Sequence, residues 1–204
     1  MRADRLLSLV LLLRNRGRMT AAQLAWIRAL ADGTPVDRLT APTPCSDWDV
    51  HDLLGHLVAT VDRARVIGEG GDPRAMPWIV TGVADDAWSD ALSTAEDKMA
   101  AVWTDDGRLD ALVTVPWGQV PGRAAVWGYL SEALVHGWDL AVATGQRPEA
   151  DPGAAGAVLA QMQRVLPAEP RGGPIPFAAP VSPRPGAGPT ERLANWCGHA
   201  RPTA

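Results

Sequence analysis

Hydrophobic residues recur at intervals of three and four over most of the chain, which is the spacing of one face of an α-helix. This pattern predicts helices over residues 3–16, 21–32, 47–68, 85–104, 123–144 and 152–165, with a short closing helix over 191–197. Candidate caps agree with it, because Thr20 and Ser46 precede two of these segments and Gly145 follows another. A mostly helical protein with the architecture of a helix bundle follows from this pattern.

Three stretches depart from helical spacing. Residues 112–122 are rich in β-branched and turn residues, which favours a short β-hairpin or an extended crossover. Residues 69–82 and the proline-rich stretch 167–189 are predicted to be irregular loops. The expected class is therefore all-α, with an extra N-terminal helix and room for one short hairpin.

The apolar run Leu6–Leu13 is far shorter than the ~20 residues that span a bilayer. Arginines follow it where a signal peptide has a small-residue cleavage site, so we expect neither export nor a membrane span. Cys45 and Cys197 are too few for a disulfide framework, which indicates a reducing, cytoplasmic setting. Cys45 precedes a predicted helix N-terminus, a position that can lower the pKa of a thiol. A structural role is nevertheless favoured for Cys45, and no role is assigned to Cys197.

Length, hydrophobic content and net charge restrict the possible classes of protein further. The chain has 204 residues, 47% of them hydrophobic, which suffices for one sizeable core. Its formal net charge of −4 argues against nucleic-acid binding by the whole molecule.

The segment SEALVHGWDL carries the strongest candidate chemistry. Glu132 and His136 are four residues apart on one predicted helix face, and Asp139 lies three residues further on. Their neighbours are apolar, so these polar groups need a compensating partner. His56 is also flanked by leucines, and Gly55 before it would let another helix approach closely. A divalent metal could be that partner, because zinc binds imidazole nitrogen and carboxylate oxygen. Two alternatives to a metal site remain: Glu132 and His136 could form an ordinary surface pair, and His56 could be a hydrogen-bonded histidine of the core.

Two segments resemble the paired signatures of the actinobacterial DinB-like metal-binding proteins, a family related to the mycothiol-dependent maleylpyruvate isomerases. They are TPCSDWDVHDLLGHLV at residues 43–58 and ALVHGWDLAVATG at 133–145. The closing ERLANWCGHARP is similar to the C-terminal helix of that family, with His199 where an arginine is usual.

This resemblance implies a DinB-like four-helix bundle over residues 20–204 with one metal, expected to be zinc. The ligands would be His56, Glu132 and His136, and Asp139 would either orient His136 or cap the site from behind the ligands. Mycothiol or another small thiol would occupy the open metal position as cosubstrate, giving a thiol-dependent transferase or isomerase that acts on a small electrophile. The maleylpyruvate isomerases carry an additional C-terminal domain that this sequence does not contain, which argues against that particular isomerisation.

The first 25 residues resemble the opening of a DeoR-type helix-turn-helix regulator, but the recognition helix that reads bases does not follow. We therefore expect residues 1–19 to form a separate N-terminal helix that packs on the bundle or on a second subunit of a homodimer. A DNA-binding regulator and a non-catalytic metal-binding bundle are the competing hypotheses.

Overall fold

The computed structural model describes residues 21–173 and 175–202. Residues 21–32 are helical (α1), followed by α2 (Val50–Gly68), α3 (Trp88–Val102), α4 (Asp106–Asp110), β1 (Leu112–Val115), β2 (Gly118–Pro121), α5 (Gly122–Thr144), α6 (Pro152–Val165) and α7 (Pro189–Trp196). Short 3-10 turns occupy Val36–Arg38 and Pro73–Ala75. The predicted helix over 3–16, the Thr20 cap and the proposed N-terminal segment 1–19 lie outside the described residues.

Four helices, α1, α2, α3 and α5, share one hydrophobic core. Each contributes an apolar face with residues at helical spacing, and the largest of these side chains are completely or almost completely buried. They include Ile27 and Leu30 from α1, Leu53 and Leu57 from α2, Leu92 and Met99 from α3, and Leu140 from α5. The expected all-α bundle is thereby confirmed.

The opposite side of α5 packs against α6 and α7 in a second core. Leu134 and Trp138 of α5 are buried there with Val158 of α6 and Leu193 of α7. Because α5 is covered on both sides, apolar residues occur all around it, and the polar side chains among them are held in low-dielectric surroundings. Because α5 lies between the two cores, its few polar side chains are brought together in apolar surroundings, where they can form a binding site.

A two-stranded antiparallel hairpin precedes α5 and confirms the hairpin alternative for residues 112–122. Val113 pairs with Val120 and Val115 with Gly118. Val113 and Val115 face inward and pack with Ile67 of α2, while Trp117 at the turn is 62% exposed. The hairpin therefore covers the end of α2 and presents an indole to solvent.

Helix boundaries follow the predicted segments with corrections at the ends. The N-cap of α2 is Asp49 and not Ser46, because the Asp49 carboxylate accepts a hydrogen bond from the Asp52 backbone amide at 2.9 Å. The short helix α4 was not predicted, and α3 is shorter at both ends than 85–104. Gly145 ends α5 in the left-handed conformation, with φ of 72°, as predicted. Among the described helices, none has both the length and the hydropathy that crossing a bilayer requires.

Candidate metal centre

His56 is held at the buried face of α2 by a loop that packs against the helix. Its Nδ1 lies 3.0 Å from the carbonyl oxygen of Trp78, and only 3% of the residue is exposed. Because a carbonyl can only accept, Nδ1 carries the proton and the lone pair is on Nε2. The opposite nitrogen accepts from the Thr60 hydroxyl at 3.3 Å and could bind a cation in its place.

Gly55 is the residue that lets this loop approach α2. The Val80 amide donates to the Gly55 carbonyl at 3.1 Å, and a Cβ on Gly55 would lie 2.4 Å from the Val80 carbonyl oxygen. The close approach predicted at this glycine is real, but a loop makes it and not another helix. The loop in turn supplies the carbonyl that orients His56.

Glu132, His136 and Asp139 lie along one side of α5. His136 Nδ1 is 3.0 Å from Asp139 Oδ2, and the Asp139 side chain is completely buried. A carboxylate at this position accepts the Nδ1 proton, as the partners of metal-bound histidines usually do. The second imidazole thus also presents Nε2 to the space beside Glu132.

The three residues predicted as metal ligands converge. Glu132 Oε2 lies 3.7 Å from His56 Nε2 and 3.5 Å from His136 Nε2, and one donor atom from each residue lies within 4.8 Å of the other two. Atoms bound about 2.1 Å from a tetrahedral zinc ion are about 3.4 Å apart. The donor set therefore fits a small divalent cation, with the chain supplying three ligands.

The three residues of this triad shift the pKa values of one another. Burial lowers the pKa of His56, which favours the neutral imidazole. Burial would raise the pKa of Glu132, but its interactions with His136 and His56 outweigh burial and hold that pKa well below its usual range. Burial likewise opposes protonation of His136, yet its hydrogen bonds to Asp139 and Glu132 raise its pKa. Positive charge is favoured between the imidazoles and the carboxylates, whether a proton or a cation carries it.

Asp139 has a second histidine partner that sequence reasoning did not assign. His199, just after α7, places Nδ1 2.9 Å from Asp139 Oδ2, and its ring centroid lies 5.5 Å from that of His136. The sequence offered one signal for this role, which was the place of His199 in the C-terminal motif. His199 thus ties the end of the described chain to the residue that orients His136.

A cleft of about 700 Å³ opens beside the triad. Glu132, with 37% of its side chain exposed, and the more buried His136 line this cleft, whereas His56 does not. Cys45 and Cys197 also line it. Burial, followed by the charges of Asp139 and Asp47, raises the pKa of Cys45 to about 12. The helix N-terminus therefore does not activate this thiol, and the less favoured alternative of a lowered pKa for Cys45 is wrong.

Comparison with known proteins identifies relatives for most of the chain. The family model of the mycothiol maleylpyruvate isomerase N-terminal domain matches residues 20–141, which include His56, Glu132, His136 and Asp139. Two curated proteins of Mycobacterium tuberculosis, uncharacterized protein MT0763 (strain CDC 1551 / Oshkosh) and uncharacterized protein Rv0738 (strain H37Rv), are each 34% identical over 162 residues. Those residues cover 78% of this chain and 79% of each relative. No solved structure matches the chain.

Proposed function

This chain belongs to the mycothiol maleylpyruvate isomerase N-terminal domain family, and on that basis we propose that it is a metal-dependent enzyme that uses a small thiol. The metal, with zinc as the expected ion, would be held by His56, Glu132 and His136. The observation that carries the proposal is that two imidazole Nε2 atoms converge on one carboxylate oxygen, while each Nδ1 is hydrogen-bonded to a separate acceptor. Mycothiol is the thiol expected from the family.

A divalent cation held by these residues would favour a thiolate at neutral pH, because coordination lowers the pKa of a thiol. The residues of the chain position the reactants. His56 and His136 are fixed by their Nδ1 hydrogen bonds, and Asp139 increases the basicity of His136. Glu132 completes the ligand set from the cleft side, where a thiol and a small electrophile would meet.

The proposal assigns the reaction to an external thiol because the thiols of the chain are poor nucleophiles. Burial and neighbouring carboxylates raise the pKa of Cys45 to about 12, and burial raises that of Cys197 to about 12 as well. Both therefore stay protonated at neutral pH. A cleft of about 700 Å³ is within the usual range for small-molecule sites. The product would be a thioether in a transfer reaction or the rearranged electrophile in an isomerisation. The free cysteines of the chain are consistent with a reducing cytoplasm, which is where small thiols of this kind are kept.

The decisive experiment combines elemental analysis with turnover. We expect about one divalent metal ion per chain in the purified protein, and metal-dependent consumption of mycothiol with 1-chloro-2,4-dinitrobenzene as a generic probe electrophile. Metal without turnover across a panel of electrophiles would favour the non-catalytic metal-binding bundle. Absence of metal after reconstitution with zinc, cobalt or nickel would overturn the proposal.

A further inference from the structure

Arg63 is a buried cation on the same face of α2 as His56, two helical turns along. Only 2% of the residue is exposed, although it lines the cleft. Its Nη2 donates to the Pro77 carbonyl at 2.6 Å, whereas its buried Nε has no hydrogen-bond partner. Within the described part of the chain Arg63 makes no salt bridge, so the cleft contains a guanidinium without a counter-ion.

Tyr129 adds a second unpartnered donor on the facing helix. It lies one turn before Glu132 on α5 and lines the same cleft. Its hydroxyl is buried and has no hydrogen-bond partner. Tyr129 and Arg63 are close enough to affect the charge state of each other. Buried donors are normally satisfied, so two unsatisfied donors in one cleft indicate a missing acceptor.

Glu132 is the nearby carboxylate, but it does not serve as that acceptor. Its Oε2 is directed to the two imidazole nitrogens at 3.5 and 3.7 Å. Its negative charge does reach Arg63 through space. The unpartnered donors of Arg63 and Tyr129 are therefore left for an acceptor that the described residues do not supply.

Two exposed indoles border this part of the cleft. Trp78 is 61% exposed and Trp117 is 62% exposed. The Trp78 ring lies 4.3 Å from the guanidinium carbon of Arg63, and the Trp117 ring centroid is 6.3 Å from that of Tyr129. Exposed aromatic surfaces of this kind bind flat or apolar ligand bodies.

We propose that Arg63 and Tyr129 form a carboxylate-binding subsite, so that the cleft selects a molecule with one carboxylate and an apolar or aromatic body. A guanidinium presents paired N–H groups that match the two oxygens of a carboxylate, and a phenol hydroxyl adds a third donor. The role of this molecule as the electrophile rests on the proposed function. The subsite itself requires neither thiol nor turnover.

The experiment is a calorimetric titration of the full chain with sodium benzoate and with benzamide, which has nearly the same shape but no charge. We expect benzoate to bind at least about tenfold more tightly, since a hydrogen-bonded charge pair contributes that much discrimination. Arg63→Gln should abolish the preference, and Tyr129→Phe should weaken benzoate binding several-fold while leaving benzamide unchanged. Arg65→Gln is the matched control, because it removes the same charge from α2 where Arg65 pairs with Asp62 and Glu69 outside the cleft.

Each outcome decides the proposal. Equal affinities for benzoate and benzamide in the wild type would overturn it, as would wild-type benzoate affinity in a folded Arg63→Gln variant. If Arg63→Gln does not fold by circular dichroism, unchanged benzoate binding in Tyr129→Phe would overturn it instead. The titration is repeated after metal removal, where a persisting preference for benzoate supports the subsite even if the metal proposal fails. A preference that disappears with the metal would mean that benzoate binds the ion and not Arg63.

Discussion

At the scale of single residues, two hydrogen bonds determine which nitrogen of each site histidine is available. The Trp78 carbonyl accepts the proton of His56 Nδ1, and Asp139 accepts that of His136. Both Nε2 atoms consequently face Glu132. The site is thus already organised by the chain before any ion binds.

Replacing His136 by alanine tests the ligand assignment. The change removes one of only three protein ligands, and it leaves Glu132 and Asp139 without one of the groups that hold their pKa values low. We expect metal content to fall to about a tenth of the wild-type value or less. Elemental analysis after dialysis measures this. His51→Ala is the matched control on α2, where His51 contacts Trp88 and lies outside the triad. Full metal content in the His136 variant would refute the assignment.

The Asp139→Asn substitution tests the residue behind the ligand. It keeps the side-chain volume in a completely buried position but removes the negative charge that His136 and His199 share. Loss of such a partner typically lowers metal affinity about 10–100-fold, which competition with a chromogenic chelator would measure. Asp62→Asn, on the surface beside Arg65, serves as control. An unchanged affinity in Asp139→Asn would mean that the carboxylate does not act on the metal through His136.

At the scale of elements, the loop over residues 77–80 connects fold and site. Its carbonyls orient His56 and accept a hydrogen bond from Arg63, and it can lie this close only because residue 55 has no side chain. The loop therefore serves both the metal triad and the proposed carboxylate subsite.

Gly55→Ala should weaken stability and metal binding together. The new Cβ would lie 2.4 Å from the Val80 carbonyl oxygen and 2.7 Å from Ile79 Cγ2, so the loop must move away from α2. Such overpacking costs about 1–3 kcal/mol, and the Trp78 carbonyl moves with the loop. Thermal unfolding and chelator competition measure the two effects. Gly156→Ala in α6, where a Cβ meets no atom within 4 Å, should be neutral or stabilising by up to about 1 kcal/mol. Wild-type behaviour of Gly55→Ala would contradict this account of the loop.

At the scale of the whole molecule, α5 belongs to both hydrophobic cores, and all three candidate ligands lie on α2 and α5. A cation that binds only the folded chain stabilises it by mass action. Metal loading should therefore be coupled to the cooperative unfolding of the bundle.

Deleting residues 1–18 tests where the metal-binding unit begins. The segment contains none of the three residues proposed as ligands and precedes the residues that match the family model. Metal content should therefore be retained, while the loss of its leucine-rich run should change solubility or oligomeric state if it covers the bundle or a second copy. Elemental analysis and light scattering on the deletion and the full chain measure both. Metal loss on deletion would place the start of the metal-binding unit before residue 18.

The sequence by itself determined the helical architecture and the identity of the candidate ligands. Apolar spacing predicted α2, α5 and α6 nearly to their ends because periodic burial is a local property of each helix. Spacing of four residues likewise put Glu132 and His136 on one face. The hairpin could be stated only as one of two alternatives, since its pairing depends on contacts with α2.

Tertiary structure alone decided the surroundings of those ligands. The carbonyl that orients His56 comes from 22 residues away, and His199 reaches Asp139 across 60 residues. Arg63 Nε and the Tyr129 hydroxyl lack hydrogen-bond partners because of how the surrounding elements pack, which the sequence does not show. Likewise, the pKa of Cys45 is set by burial and by Asp139, which outweigh its position near a helix N-terminus. Local spacing determines which side chains share a helix face, whereas long-range packing determines their charge, hydrogen bonding and access to the cleft.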